Sequence, residues 1–272
     1  MSQPFFDLRA THNPHRWVLP LSEGLCVGPP GGAFMFGGVG MGAAIAAMER
    51  TCGRPVIWAT AQYLSFARPS SIVDLDVWVP AHGHHTSQAR VIGHVGDKEI
   101  LTVNAALGSR PSDIEHQWAN MPAVPAPEKC RLSERWQEDH EDLHSHIEVR
   151  VASGRHARRA HTEGPSLDGR MTLWARPQGD HPIDSSMLAI IADHVPSGIG
   201  HALGRHAGGN SLDNTIRFLR IVPTQWVLCD IRIDGAQGGF CHGSMRLFAQ
   251  DGQLMAIASQ SMILRVRENN PA

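Results

Sequence analysis

The sequence predicts an α+β fold of two fused units, each an antiparallel sheet wrapped around one buried helix. Two observations predict this class. A helix followed by four strand-like segments occurs twice along the chain, and both helical segments are small or apolar on almost every side. The chain has 272 residues, 42% of them hydrophobic, which is enough for two such units. We expect the first unit at 1–110, a linker at 111–147 and the second unit at 148–272.

The first unit is predicted to contain a helix that is buried on most sides. Residues 36–50, FGGVGMGAAIAAMER, begin with Gly37 and Gly38, and Gly53 follows as a C-terminal stop. Four segments with β-branched content or two-residue alternation come next, and residues typical of turns separate them. These segments are PVIWATAQYLSF, IVDLDVWVP, TSQARVIGHV and EILTVNAALGSR.

The second unit repeats this order. Its helix is DSSMLAIIADHV at 184–195, with an N-cap signal at Asp184 and Ser185. The motif Phe66-x-Arg68 recurs as Phe218-x-Arg220, and EVRVAS and GRMTLWARP supply additional strands ahead of the helix. The four strands predicted after the helix are SLDNTIRFLRIV, QWVLCDIRID, FCHGSMRLFAQ and LMAIASQSMILRVR.

The predicted linker is rich in proline, charge and histidine, and a polar helix is expected to start at Ser133. It contains His140-Glu141-Asp142-Leu143-His144, which matches the H-E-x-x-H pattern of helical zinc sites. A zinc-site helix is normally buried, whereas the flanking residues here are among the most polar in the chain. A chain with 17 histidines also meets this pattern readily by chance. We therefore interpret HEDLH as part of a solvated linker helix and predict no metal or cofactor.

Composition narrows the class of protein further. The net charge is −2 and no long basic run occurs, so a nucleic-acid partner is not expected. The longest apolar stretch, 39–48, is too short and too rich in glycine to cross a bilayer, so no membrane partner is expected either. Five cysteines without a C-x-x-C pair, and an N-terminal segment without a signal-peptide pattern, predict a cytoplasmic location.

Three polar side chains stand where the pattern calls for apolar ones or for a helix end. Gln260 interrupts a face of the last strand that it shares with Ala258 and Met262, where its amide either satisfies nearby backbone groups or belongs to a site. Asp193 ends an apolar helical run, where it either caps the chain or provides a functional carboxylate. Ser211 opens the next strand. The order of these elements lets the three meet at one end of the sheet and hold a water.

Four segments make the chain similar to a known family. FGGVGMGAAIAA, QYLSFARPSS, SLDNTIRFLR and DGQLMAIASQSMILR resemble the acyl-CoA thioesterase II family, whose fold is a double hotdog. In that family an Asp, a Thr or Ser, and a Gln orient the attacking water, and these fall on Asp193, Ser211 and Gln260. Two positions depart from the family pattern: Tyr63 replaces a common histidine, and Ser211 stands where threonine is common.

The resemblance implies hydrolysis of an acyl-CoA thioester to the free acid and coenzyme A, without a cofactor. Asp193 would act as the base, and Ser211 and Gln260 would hold the water and the developing oxyanion. As substrate-binding residues we predict Tyr63 together with Gly37 and Gly38, because backbone N–H groups at a helix start can polarise a thioester carbonyl. The partners implied are the acyl-CoA and a second copy of the chain, in a homodimer or higher homo-oligomer.

Two alternatives remain open from the sequence. One is a non-catalytic double hotdog protein that binds acyl-CoA or lipid. The other is an enoyl-CoA hydratase, because QGDHPID at 178–184 is faintly similar to the G-D-x-N-P run of such enzymes. That segment lacks the asparagine and the trailing histidine that addition of water would need.

Overall fold

The computed structural model describes residues 3–134, 141–156, 159 and 164–267. The elements in the first half of the chain are β1 Arg9–Ala10, β2 Arg16–Pro20, β3 Cys26–Val27, β4 Phe34–Met35, α1 Gly37–Cys52, β5 Val56–Tyr63, β6 Ile72–His82, β7 Thr86–Val95, β8 Lys98–Gly108 and β9 Arg131–Leu132. Those in the second half are α2 Leu143–His146, β10 Ile147–Ser153, β11 Arg170–Pro177, α3 Ser185–Ala192, α4 Gly198–Leu203, β12 Ala207–Ser211, β13 Asp213–Phe218, β14 Val227–Gln237, β15 Phe240–Ala249 and β16 Leu254–Val266.

Fourteen of the described strands form one antiparallel sheet, in the order β1-β2-β6-β7-β8-β5-β13-β16-β15-β14-β11-β10-β9, with β12 also paired to β16. The two halves of the chain join through β5 and β13, where Thr60 pairs with Thr215 and their hydroxyl oxygens lie 2.7 Å apart. β3 and β4 form a separate pair. The α+β prediction is confirmed. In each half the four predicted strands lie side by side, and the first of them pairs with the last, β5 with β8 and β13 with β16.

The two buried helices pack against each other inside this sheet. α1 lies on β5 to β8, and α3 lies against β13 and β15. The helices approach closely because Gly38 and Gly42 face α3: a Cβ atom at Gly42 would lie 2.9 Å from the carbonyl oxygen of Ser186, and one at Gly38 would lie 2.8 Å from the Cα of Ile190. Gly38, near the start of α1, faces Ile190 near the end of α3, whereas Gly42, one turn later, faces Ser186 near the start of α3. The two helices are therefore antiparallel. The start of α1 therefore meets the end of α3.

The predicted strand at 211–222 is wrong as a single element. It is divided into β12 and β13, with Leu212 between them. The break has a local cause, since the side chain of Asp213 accepts a hydrogen bond from the backbone N–H of Ser261 at 2.7 Å. A carboxylate there takes a donor that a continuous ladder would give to a carbonyl group. Ser211 consequently ends one strand instead of opening the next.

The segment 111–147 also differs from its prediction. No helix starts at Ser133, whose backbone N–H donates to Val149 after β9 has paired with β10. His140 lies outside the described residues, and α2 begins only at Leu143, with the Asp142 side chain as its N-cap. Leu143 is fully buried, so this short helix is anchored to the core and not simply solvated.

Two further features of the described residues bear on function. No group of three or more His, Cys, Asp or Glu side chains among them has the geometry of a metal site. None of the helices in this part of the chain is long and apolar enough to cross a membrane.

Candidate active site

Asp193 lies where the two halves of the chain meet. It is the C-cap residue of α3, only 5% exposed, and faces the first turn of α1. The backbone N–H of Gly38 donates to its Oδ2 at 2.7 Å, and the Nε2 of Gln260 donates to its Oδ1. Both carboxylate oxygens are therefore held by donors, one from each half of the sequence.

Gln260 is buried on the apolar face of β16, between Ala258 and Met262, which are fully buried. Its Nε2 group is directed at Asp193, whereas its Oε1 has no hydrogen-bond partner among the described residues. The amide does not serve to satisfy a neighbouring backbone group. Its contact with the carboxylate places it with Asp193.

Ser211 and Tyr63 complete the group of predicted residues. The Ser211 hydroxyl contributes to lowering the pKa of Asp193, but the two side chains are not joined by a hydrogen bond of normal geometry. Tyr63 ends β5, and its hydroxyl is buried without a protein partner in the described part of the chain. A Cβ atom at Gly37 would lie 2.9 Å from both the Oδ2 of Asp193 and the Cζ of Tyr63. The glycine at this position therefore leaves room for the phenol and the carboxylate to approach each other.

The environment of Asp193 makes its carboxyl group titrate near neutral pH. Burial raises its pKa from the ordinary value of 3.8 to about 7, and hydrogen bonds from Gln260 and Gly38 partly offset this rise. Burial and the neighbouring Asp193 raise the pKa of Tyr63, which keeps the phenol protonated as a donor. A carboxylate with a pKa near 7 can accept a proton from water at physiological pH and release it again within one cycle.

Two buried residues at this site were missed from the sequence. Asn214 is fully buried on β13, and neither its Oδ1 nor its Nδ2 makes a hydrogen bond with the described residues. The sequence pattern that indicates Gln260 also indicates Asn214: a polar residue stands on an apolar face of a strand. The two-residue period places Asn214 on one face with the fully buried Ile216.

His194, the second of these two residues, is buried next to Asp193 in the sequence. Its ring packs against Phe36 at 5.6 Å and His144 at 6.0 Å between centroids. Burial and the neighbouring His144 lower the pKa of His194 to about 4, so it is neutral at physiological pH. Because its Nδ1 lies 3.1 Å from the carbonyl oxygen of Ile191, Nδ1 is the protonated nitrogen and Nε2 is an acceptor.

The segment 178–184, on which the hydratase alternative rested, serves a different purpose in this fold. Asp180 is exposed. Asp184 caps α3, with its side chain accepting the Met187 backbone N–H at 2.9 Å. The carboxylates of this segment lie at the far end of α3 from Asp193. Their placement gives no support to the hydratase alternative.

Comparison with known proteins identifies the family. The acyl-CoA thioesterase C-terminal domain matches residues 126–264, just over half of the chain. A protein from Novosphingobium aromaticivorans described as a thioesterase is 34% identical to this chain, with a TM-score of 0.84, over 95% of this chain and 98% of its own. No match was found among curated proteins.

More distant structures share the fold. A protein of Alicyclobacillus acidocaldarius with a hot dog fold has 18% identity and a TM-score of 0.78, over 98% of this chain and 97% of its own. The acyl-CoA thioesterase II TesB2 of Mycobacterium marinum has 21% identity and a TM-score of 0.72, over 96% of this chain and 97% of its own. The double hotdog prediction and the resemblance to the thioesterase II family are confirmed.

Proposed function

Because the chain belongs to the acyl-CoA thioesterase family and is a thioester hydrolase, we propose that Asp193, Ser211 and Gln260 activate the water that attacks an acyl-CoA. The observation that supports this most directly is the buried Asp193 carboxylate, held by Gln260 and by the Gly38 backbone N–H, with a pKa of about 7. A carboxylate so placed needs no metal to accept a proton from water.

In the first step the water oxygen bonds to the thioester carbonyl carbon as Asp193 takes one of its protons. The tetrahedral intermediate that results has its negative charge on the former carbonyl oxygen. In the second step this oxygen reforms the double bond, the carbon–sulfur bond breaks, and Asp193 returns its proton to the departing thiolate. The products are the free acid and coenzyme A, and the carboxylate is regenerated.

The negative charge on the carbonyl oxygen needs hydrogen-bond donors. The sequence predicted the N–H groups of Gly37 and Gly38 for this purpose, and the geometry favours only one of them. The Gly38 N–H donates to Asp193, so it is committed to the base. The Gly37 N–H is in the first turn of α1 and makes no hydrogen bond with the described residues, which favours it as the donor to the thioester oxygen. The Tyr63 hydroxyl is the second candidate. A preorganised donor of this kind contributes about 2.7–4 kcal/mol.

We also propose a homodimer or higher homo-oligomer in the cytoplasm. Apolar side chains are exposed beyond the ends of β5 and β13, with Phe66 50% and Leu219 49% exposed, which favours association of copies. All five cysteines are unpaired, which suits a reducing compartment. Light scattering across a concentration series tests the first proposal, since a monomer at every concentration would contradict it.

Replacing Gln260 with leucine is expected to move the acidic limb of the pH profile of kcat/KM to higher pH. The substitution removes the donor to Asp193 Oδ1, so the charged carboxylate loses stabilisation and its pKa rises. We also expect kcat to fall by about 10- to 100-fold. Gln88→Leu, on an exposed part of β7, is the control. An acidic limb that stays in place would contradict this role of Gln260.

The proposed function is tested by following free thiol release from a panel of acyl-CoAs with short, long, branched and aromatic acyl groups. Parallel samples contain EDTA. Turnover that survives chelation is expected on at least one member, and the panel identifies the acyl class. Loss of turnover on chelation would contradict the metal-free mechanism. Binding without turnover on every member would favour the non-catalytic alternative.

A further inference from the structure

Asn214 is a buried carboxamide whose side-chain oxygen has no partner among the described residues. It is 0% exposed, and both polar atoms of its side chain lack a hydrogen bond within the described residues. Burial of an unpaired amide is unfavourable, and an apolar side chain of similar size would fit a β-strand interior better. The NH₂ group lies near enough to Asp193 and Tyr63 to act on both, so Oδ1 is the atom left for a ligand.

The register of the sheet places this amide beside the proposed active residues. Asn214 pairs with Ala61 of β5, and the next residue, Thr215, pairs with Ser259 of β16. One step back along that ladder, Asn214 lies beside Gln260 with both side chains on the same face. The Asn214 amide also lies close enough to lower the pKa of both Asp193 and Tyr63.

The residues that flank these two amides in the row across the sheet are both small. Ala61 flanks Asn214 on one side, and Gly243 pairs with Gln260 on the other. No bulky side chain within this row covers the carboxamides, although Ile233 and Val195 fill the space above Gly243. The row therefore provides two adjacent amide groups between small neighbours, facing the buried carboxylate.

A water that attacks a carbonyl carbon is best oriented when each of its hydrogens has an acceptor, which leaves a lone pair for the carbon. The Asp193 carboxylate supplies one acceptor. Gln260 directs its Nε2 group at Asp193, so its Oε1 points away from that carboxylate oxygen. We propose that Asn214 is a further catalytic residue, whose Oδ1 accepts the second hydrogen of the attacking water. This inference rests on the proposed thioesterase reaction.

Asn214→Val and Asn214→Thr form a matched pair that tests the inference, because the two side chains have nearly the same shape and only threonine keeps an acceptor oxygen. Asn214→Val is expected to lower kcat at least tenfold with KM within about threefold, and to leave Tm unchanged or raised. Asn214→Thr is expected to recover part of kcat. Thr215→Val, one residue along on the other face, is the control.

Competition between nucleophiles separates orientation of water from packing. With hydroxylamine in the assay, the ratio of hydroxamate to free acid is expected to rise in Asn214→Val and to stay constant in Thr215→Val. A purely structural role would change the yields of both products in proportion. If the valine variant does not fold, Asn214→Ala and Asn214→Thr provide the same two readouts.

The outcomes distinguish the inference from the proposed function. If the wild type releases thiol and Asn214→Val has the same kcat and the same product ratio, the inference is wrong and the thioesterase proposal stands. A lower Tm with unchanged kcat would identify Asn214 as a packing residue. If the wild type releases no thiol from any acyl-CoA, the proposed function is contradicted and the inference fails with it.

Discussion

Asp193→Asn is expected to lower kcat by about 10³-fold, within the range of 10² to 10⁴ that general base catalysis contributes. Asparagine preserves the size of the side chain and can still accept the Gly38 N–H, while Gln260 can rotate its amide to accept from the new NH₂ group. The site should therefore keep its shape and lose only the ability to take a proton. Single-turnover rates of thiol release measure the loss directly.

The control for this substitution is Asp180→Asn, which removes a carboxylate from an exposed loop. It should leave kcat within twofold of the wild type. We expect KM of Asp193→Asn to remain within a few-fold, since the carboxylate acts on the water and not on the acyl-CoA. A kcat within tenfold of the wild type would contradict the role of Asp193 as the base.

The same substitution is expected to stabilise the protein at high pH. The folded state raises the pKa of Asp193 from 3.8 to about 7, so the folded protein retains a proton that the unfolded chain releases. Well below pH 3.8 both states are protonated and there is no effect. The free energy of unfolding then falls as pH rises to 7, and the full penalty persists above pH 7.

Asparagine lacks this penalty because it does not ionise. A pKa rise of this size corresponds to at most roughly 4 kcal/mol, and we expect a gain of about 2–4 kcal/mol for Asp193→Asn at pH 8. The gain should shrink towards zero at pH 4. Urea unfolding at the two pH values measures it, with Asp180→Asn as the control for net charge. A variant less stable than the wild type at pH 8 would contradict the assigned environment of Asp193.

Much of the fold could be predicted because the hydrophobic period and the turn residues are local. The predicted segment at 86–95 became the strand Thr86–Val95, and the helix predicted at 36–50 became Gly37–Cys52. The expected helix does not start at Ser133, since polar composition alone does not specify a helix and strand pairing with β10 determines the backbone there; residues 135–140 lie outside the described part of the chain. The sequence predicted a solvated helix around Leu143 because the neighbouring residues are charged or polar, and one apolar residue among them does not form a pattern that indicates burial.

The candidate site could be predicted only in part, for a physical reason. Gln260 was detectable because it is one polar residue on a long apolar face of β16. Asn214 interrupts an apolar face in the same way, but β13 is shorter, so fewer apolar neighbours define that face. The contact between Gly38 and Asp193 joins residues 155 positions apart, so no local pattern contains it. It follows from the antiparallel packing of α1 on α3 through glycine, which is a property of the assembled fold.

A single turnover in H₂¹⁸O, with enzyme in excess over acyl-CoA, tests most directly whether the oxygen of water is added to the acyl carbon or to the carboxyl carbon of Asp193. Mass spectrometry then locates the label in the acid product and in the peptide that contains Asp193. We predict one ¹⁸O atom in the carboxylate of the product and none in the peptide. Unlabelled product with ¹⁸O in the Asp193 side chain would instead show a covalent acyl-enzyme anhydride, and would contradict the proposed mechanism.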